Sequence, residues 1–203
     1  LTELRFINVT KKCIIMGNDL LKGKRGIIFG ALNDMSIAWK VAERAVEEGA
    51  IITLSNTPLA VRMGTTNELS EKLNAKLIPA DATSVSDLEN VFKESMEALG
   101  GKIDFVLHSI GMSPNVRKKR TYDDLDYDML TSTIDISAIS FHKMLQVAKK
   151  MDAINEYGSV KVPDVLIQFD YIDSYKVSKI YDFDHKCEAL TKRNHLYNLH
   201  LYG

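Results

Sequence analysis

The sequence predicts an α/β fold: a doubly wound parallel sheet with helices packed on both faces. Three observations carry that expectation. Four short runs rich in apolar and β-branched residues recur along the chain, at Gly26–Phe29, Ala50–Leu54, Lys76–Pro79 and Ile103–Leu107. Between them lie stretches whose apolar residues fall at helical spacing. The runs end in turn or loop residues, the first of them at Gly30. Strands that alternate with helices through right-handed crossovers form a parallel sheet covered on both sides.

Composition bounds the reading. The 203 residues are 45% hydrophobic and 26% charged with a formal net charge of −1, which suits one domain with a substantial core. Near-neutral charge argues against nucleic acid as the main partner and against a polybasic membrane contact. No run approaches the roughly 20 apolar residues of a membrane span. Cys13 and Cys187 make no disulfide framework, so a reducing cytoplasm is expected. Residues 1–15 resemble neither a signal peptide nor the start of a domain. They read as an N-terminal extension ahead of a natural start at Met16, with the domain spanning 16–159.

The first unit is Lys24–Lys40. Gly26–Phe29 reads as a buried strand, Gly30 opens a turn, and a helix begins near Ser36. A strand feeding a helix through a glycine turn opens dinucleotide-binding α/β domains. The three-glycine fingerprint is absent, because only Gly30 stands where a glycine is needed. Gly30 would let the backbone approach a pyrophosphate. Ser36 would cap the helix while its first N–H groups face the anion. A plain strand-to-helix connection with a serine cap fits these residues equally well.

Ile37–Glu48 continues as an amphipathic helix carrying Ile37, Ala38, Val41, Ala45 and Val46 on one stripe, and Gly49 stops it. After the second strand come Ser55-Asn56-Thr57-Pro58, where such a fold meets the adenosine ribose. No Asp or Glu stands there to take two ribose hydroxyls, and no arginine is adjacent. These residues alone leave NAD and NADP undecided. Leu59–Leu73 reads as one helix weakened by Gly64. After the third strand, Asp81 either accepts from an adenine amino group or caps the following loop. Val85–Leu99 is a helix closed by Gly100-Gly101, and the fourth strand runs into His108-Ser109-Ile110-Gly111. Gly30, Thr57, Asp81 and Ile110 all fall beyond the carboxyl ends of strands, where ligands bind in such sheets.

Met112–Arg120 reads as a loop with a basic cluster, Arg117 to Arg120, which is either solvated surface or a landing site for an acidic partner. Asp123–Met151 reads as one long helix. Its apolar stripe (Leu125, Met129, Ile134, Phe141, Met144 and Ala148 among others) is widened by Leu130, Ile136, Ile139 and Val147. So wide a face suggests burial against both the sheet and a second subunit. His142 on this helix reads as structural.

With Gly-Ala-Leu-Asn-Asp-Met-Ser-Ile-Ala-Trp (30–39) and His-Ser-Ile-Gly (108–111) both in place, the chain resembles a family. It is similar to the bacterial NADH-dependent enoyl-acyl-carrier-protein reductases, divergent members of the short-chain dehydrogenase/reductase superfamily. The resemblance runs from about Met16 to Ser159 and implies a Rossmann-type sheet. It implies that Gly30, Ser36 and Ile37 hold the cofactor pyrophosphate and that Thr57 meets the adenosine ribose. Asp81 and Ala82 would meet the adenine, Ile110 the nicotinamide ribose, and Ser113 the substrate. The implied cofactor is NADH. The implied substrate is an enoyl chain on acyl carrier protein, reduced at its trans-2 double bond. A homo-oligomer, commonly a tetramer, is also implied. Asp184-His185-Lys186-Cys187 offers two ligand types without a second cluster, so no metal is expected.

After Gly158-Ser159 the motif pattern changes. The family continues with a strand, a tyrosine, and a second tyrosine followed seven positions later by lysine. Tyr175 falls at the second tyrosine's position, with Asp182 where the lysine should stand. Tyr175 and Lys179 instead have the Tyr-x-x-x-Lys spacing of ordinary short-chain dehydrogenases, which puts both on one helix face. Seven of the sixteen aromatic residues and three of the five histidines lie in 160–203. That segment reads as an atypical tail, as a shifted reading frame would give, so the last strands of the sheet are expected to be missing. Three readings follow: an enoyl-acyl-carrier-protein reductase, a non-catalytic dinucleotide-binding fragment, or a short-chain dehydrogenase using Tyr175 and Lys179.

Overall fold

The computed structural model describes residues 18–62 and 65–162. Arg25–Phe29 (β1), Ile51–Asn56 (β2), Lys76–Pro79 (β3), Ile103–His108 (β4) and Ile154–Lys161 (β5) form one sheet in the order β3-β2-β1-β4-β5. All of its pairings are parallel. The doubly wound α/β expectation holds. The chain winds outward from β1 to β3, then crosses back to place β4 on the other side of β1.

Side-chain alternation along β1 builds two cores, because successive residues of a strand face opposite sides. Ile27 and Phe29 join Ile78 and Val106 beneath Val85–Leu99 (α4) and Ser140–Lys150 (α7), through Leu88, Phe92, Phe141 and Met144. Ile28 joins Ile52, Leu54 and Leu107 beneath Ile37–Glu47 (α1), through Ala38, Trp39 and Ala42. Leu69 of Thr65–Leu73 (α3) packs in this second core. At about 25 cal/mol per Å² of apolar surface removed from water, each fully buried Ile or Leu contributes about 2 kcal/mol.

Ahead of β1 the chain is pinned by Glu48. Its buried carboxylate accepts from the backbone N–H of Asn18 at 2.7 Å and pairs with Arg44. Near the amino ends of β1 and β4, a cavity of about 510 Å³ lies beside α1, lined by Leu21, Val41, Phe105 and Tyr157 among others.

Three stretches depart from expectation. The fifth strand has no sequence signal of its own: Asn155, Glu156 and a 92% exposed Tyr157 break any apolar run, and its register with β4 shifts between Ile103 and Phe105. Leu59–Leu73 is divided into Pro58–Arg62 (α2) and α3, with residues 63 and 64 outside the described residues. The expected long helix is a 3₁₀ turn at Tyr122–Asp124, an α-helix Tyr127–Ile134 (α6), a π-helical segment Asp135–Ile139, and α7. Asp126 sets the true start of α6, its Oδ1 accepting from Met129 N at 3.0 Å. The expected Met112–Arg120 loop contains one helical turn, Pro114–Arg117 (α5), which Ser113 caps and Pro114 begins.

Candidate functional site

The turn after β1 is shaped by what surrounds Gly30. Its φ is +89°, and a Cβ there would stand 1.9 Å from the carbonyl oxygen of Ser109. A glycine is therefore required by the connection after β4, which presses against it. Gly30 N–H donates to Ser55 O at 2.9 Å and Ser109 N–H to Phe29 O at 3.2 Å, so the ends of β2, β1 and β4 are laced together here.

Ser36 caps α1 as expected. Its Oγ donates to Asn33 O at 2.7 Å and accepts from Leu32 N at 3.3 Å and Trp39 N at 3.4 Å. With that hydrogen already committed, an anion at this helix end would meet backbone N–H groups of the first turn, including that of Ile37. The turn's own carbonyls are also held. Ala31 O accepts from Asn56 Nδ2 at 2.9 Å and Thr66 Oγ1 at 3.0 Å, and Leu32 O accepts from Thr65 Oγ1.

Thr57 is exposed at the end of β2 and caps α2, its Oγ1 accepting from Ala60 N at 3.3 Å. Beyond β3, Asp81 is also exposed. It does not cap α4, because Ser84 holds that position. Its Oδ1 accepts from both Thr83 N at 2.9 Å and Thr83 Oγ1 at 2.8 Å, while Oδ2 accepts from no described residue. A carboxylate oriented through one oxygen and open at the other can receive an amino group. Ala82 beside it is buried in the core.

Beyond β4, His108 is fully buried between Phe29 and Phe141, with ring centroids 6.4 and 5.5 Å away. Its Nε2 lies 2.9 Å from Ser140 Oγ, which donates to Ile136 O at 2.6 Å. The serine's one hydrogen is thus committed, so Nε2 carries the proton and Nδ1 is the acceptor, buried with no partner among the described residues. Burial pushes the imidazole down to about 4, so it is neutral near pH 7. The π-helical segment reaches the same connection through Ser137, whose Oγ accepts from Met112 N at 3.2 Å. Ile110 is half-buried against the core. Ser113 is 6% exposed; its Oγ caps α5, and Thr133 Oγ1 lies 3.5 Å away.

The structure thus brings Gly30, Ser36, Ile37, Thr57, Asp81, Ala82 and Ile110 to one edge, the carboxyl ends of four neighbouring strands. Tyr175 and Lys179 lie outside the described residues. Among the described residues no group of three or more His, Cys, Asp or Glu could hold a metal ion, and no helix is long and apolar enough to cross a membrane. Sequence reasoning missed Asn56, Thr66 and the His108–Ser140 pair. Asn56 carried a signal, since a short amide just past a strand readily bonds neighbouring backbone. His108 was legible as part of the His-Ser-Ile-Gly motif, but nothing local signalled its burial against Ser140.

This row of residues can be set beside known proteins. Enoyl-acyl-carrier-protein reductase (NADH) 1 of Rhizobium meliloti is 36% identical over 143 residues, covering 70% of this chain and 51% of that protein. The FabI enoyl-acyl-carrier-protein reductase (NADH) of Rickettsia bellii is 32% identical over 148 residues, 71% of this chain and 54% of that protein. The chain spans about half the length of the curated relatives it matches. The crystal structure of the FabI–NADH complex from Alistipes finegoldii superposes with a TM-score of 0.75 at 57% identity, covering 87% of this chain and 64% of that one. The sequence model described as enoyl-(acyl carrier protein) reductase matches residues 30–182, from the glycine that opens the turn to beyond Ser159, where the motif reading stops. A parallel sheet in this order, Gly30 packed against Ser109, and a family match over most of the chain agree: this chain belongs to the enoyl-acyl-carrier-protein reductase family.

Proposed function

We propose that this chain holds NADH along the carboxyl ends of β3, β2, β1 and β4 and reduces the trans-2 double bond of an enoyl chain on acyl carrier protein, in fatty acid biosynthesis. One observation carries the reading: every candidate cofactor residue falls on that single edge, in strand order from the adenine end at Asp81 to the nicotinamide end at Ile110. The donor set fits a dinucleotide. The Ser36-capped start of α1 offers backbone N–H groups to the pyrophosphate, Thr57 stands exposed for the adenosine ribose, and Asp81 keeps one carboxylate oxygen for the adenine amino group. Bound nicotinamide supplies the hydride, while the protein binds and orients. Ser113 would serve the substrate side by holding the start of α5.

The reading extends to a homotetramer in the cytoplasm; the wide apolar face of residues 127–150, where Ile139 and Tyr127 remain exposed, supports a contact between subunits. Following NADH absorbance with a crotonyl thioester tests the activity: NADH consumption that depends on the thioester is expected. A second reading, dinucleotide binding without turnover, is favoured by one fact of the sequence. Counting from Gly158, Asp182 stands where the family's lysine should fall after Tyr175. A folded chain that binds NADH and leaves its absorbance unchanged would select that reading. Loss of carbonyl-reducing activity on Tyr175→Phe would favour the third, a dehydrogenase using Tyr175 and Lys179.

A further inference from the structure

Resting on the dinucleotide reading, we propose that Lys143 is a positioning residue for the adenine end of the site, acting through Thr83 on the Asp81 carboxylate. The residues form a continuous chain of bonds. Asp135 Oδ1 accepts from Lys143 Nζ at 2.9 Å, and the same ammonium donates to Thr83 O at 3.0 Å. Thr83 in turn donates to Asp81 Oδ1 through both its N–H and its hydroxyl. One side chain of α7 therefore anchors the residue that orients Asp81. Lys143 itself is held from the π-helical segment, whose Ser137 also grips Met112 after β4. The connections after β3 and β4 are thus set from one short segment.

The lysine suits this task. Its side chain is only 25% exposed, so the ion pair with Asp135 is partly shielded from water and the ammonium's reach is restricted. Three donors on one nitrogen let it serve a carboxylate and a carbonyl together. In this role Lys143 acts on Asp81 through Thr83 and not on the cofactor itself. Its effect is on which way Asp81 Oδ2 is presented, and so on how well an adenine amino group is told from an oxygen.

The test compares reduced nicotinamide adenine dinucleotide with its hypoxanthine analogue, which carries a carbonyl oxygen where adenine carries the amino group. Dissociation constants are measured by calorimetry on the full chain. The wild type is expected to favour NADH by about tenfold, the worth of one hydrogen bond to a charged acceptor. Lys143→Met should reduce that preference to about twofold or less. Lys150→Met is the control, since Lys150 ties α7 to Glu89 of α4 at 3.0 Å without touching the Asp81 loop, and its ratio should match the wild type. Asp135→Asn keeps the shape of the π-helical segment and should lower the ratio by an intermediate amount, carrying the test if Lys143→Met does not fold. Undiminished preference in a folded Lys143→Met protein overturns the proposal, as does a wild type that binds both dinucleotides equally. A wild type that binds neither overturns the dinucleotide reading beneath it.

Discussion

The turn after β1 and the connection after β4 touch at one point, Gly30 against Ser109, yet they are stabilised in different ways. In the turn itself, polar groups find partners: Ala31 O takes two side-chain donors, and the half-buried Ser36 hydroxyl makes three bonds. In the connection, a buried histidine is satisfied on one nitrogen and has no partner for the other among the described residues. A fully satisfied network resists change and is insensitive to pH, whereas a half-satisfied buried base stores a cost that protonation increases. The first is suited to holding a fixed charge such as a pyrophosphate. The second makes the far end of the same site dependent on the packing of α7.

The contrast is most vulnerable where the two regions meet. Gly30→Ala forces a Cβ into the Ser109 carbonyl at a left-handed φ, and should destabilise the fold by about 3 kcal/mol or more while abolishing dinucleotide binding. Urea unfolding measures the first effect and calorimetry the second. A Gly30→Ala protein of wild-type stability would show that the two connections are not pressed together.

Acid comes next. The His108 value is depressed from 6.5 in the unfolded chain to about 4 in the fold, so the unfolded state binds more protons between those limits. Stability from this group is complete above pH 6.5 and falls as pH drops toward 4, by about 3 kcal/mol over the window. Unfolding curves at a series of pH values should show that slope, and His108→Gln should flatten it. An unchanged slope in the variant would place the acid sensitivity elsewhere.

Ser140→Ala removes the acceptor for His108 Nε2 and should cost about 1–3 kcal/mol, because a buried N–H donor then loses its partner. Asn56→Ala should cost least, about 1 kcal/mol, since Thr66 still donates to Ala31 O. If Asn56→Ala proved costlier than Ser140→Ala, the contrast between a robust turn and a vulnerable connection would be reversed.

The turn was legible in the sequence because its signals are local. A glycine after a β-branched run and a serine before a helical stripe each have one dominant structural use, and both held. The reason for Gly30 was less visible, since Ser109 lies far along the chain and only the register of β1 with β4 brings them together. The π-helical segment was hidden for a related reason. Asp135–Ile139 keeps enough apolar spacing to pass for a continuous helix, and the Asp135–Lys143 pair spans eight residues, outside the three or four at which helical pairs are read. β5 escaped because its sequence is half polar and its pairing depends on β4 rather than on any pattern of its own.

Whether the carboxyl ends of β3, β2, β1 and β4 form one dinucleotide site is decided by calorimetric titration of the full chain with NADH. Saturable binding of one NADH per chain is expected, eliminated by Gly30→Ala. A folded wild-type chain that gives no saturable heat with NADH would contradict it.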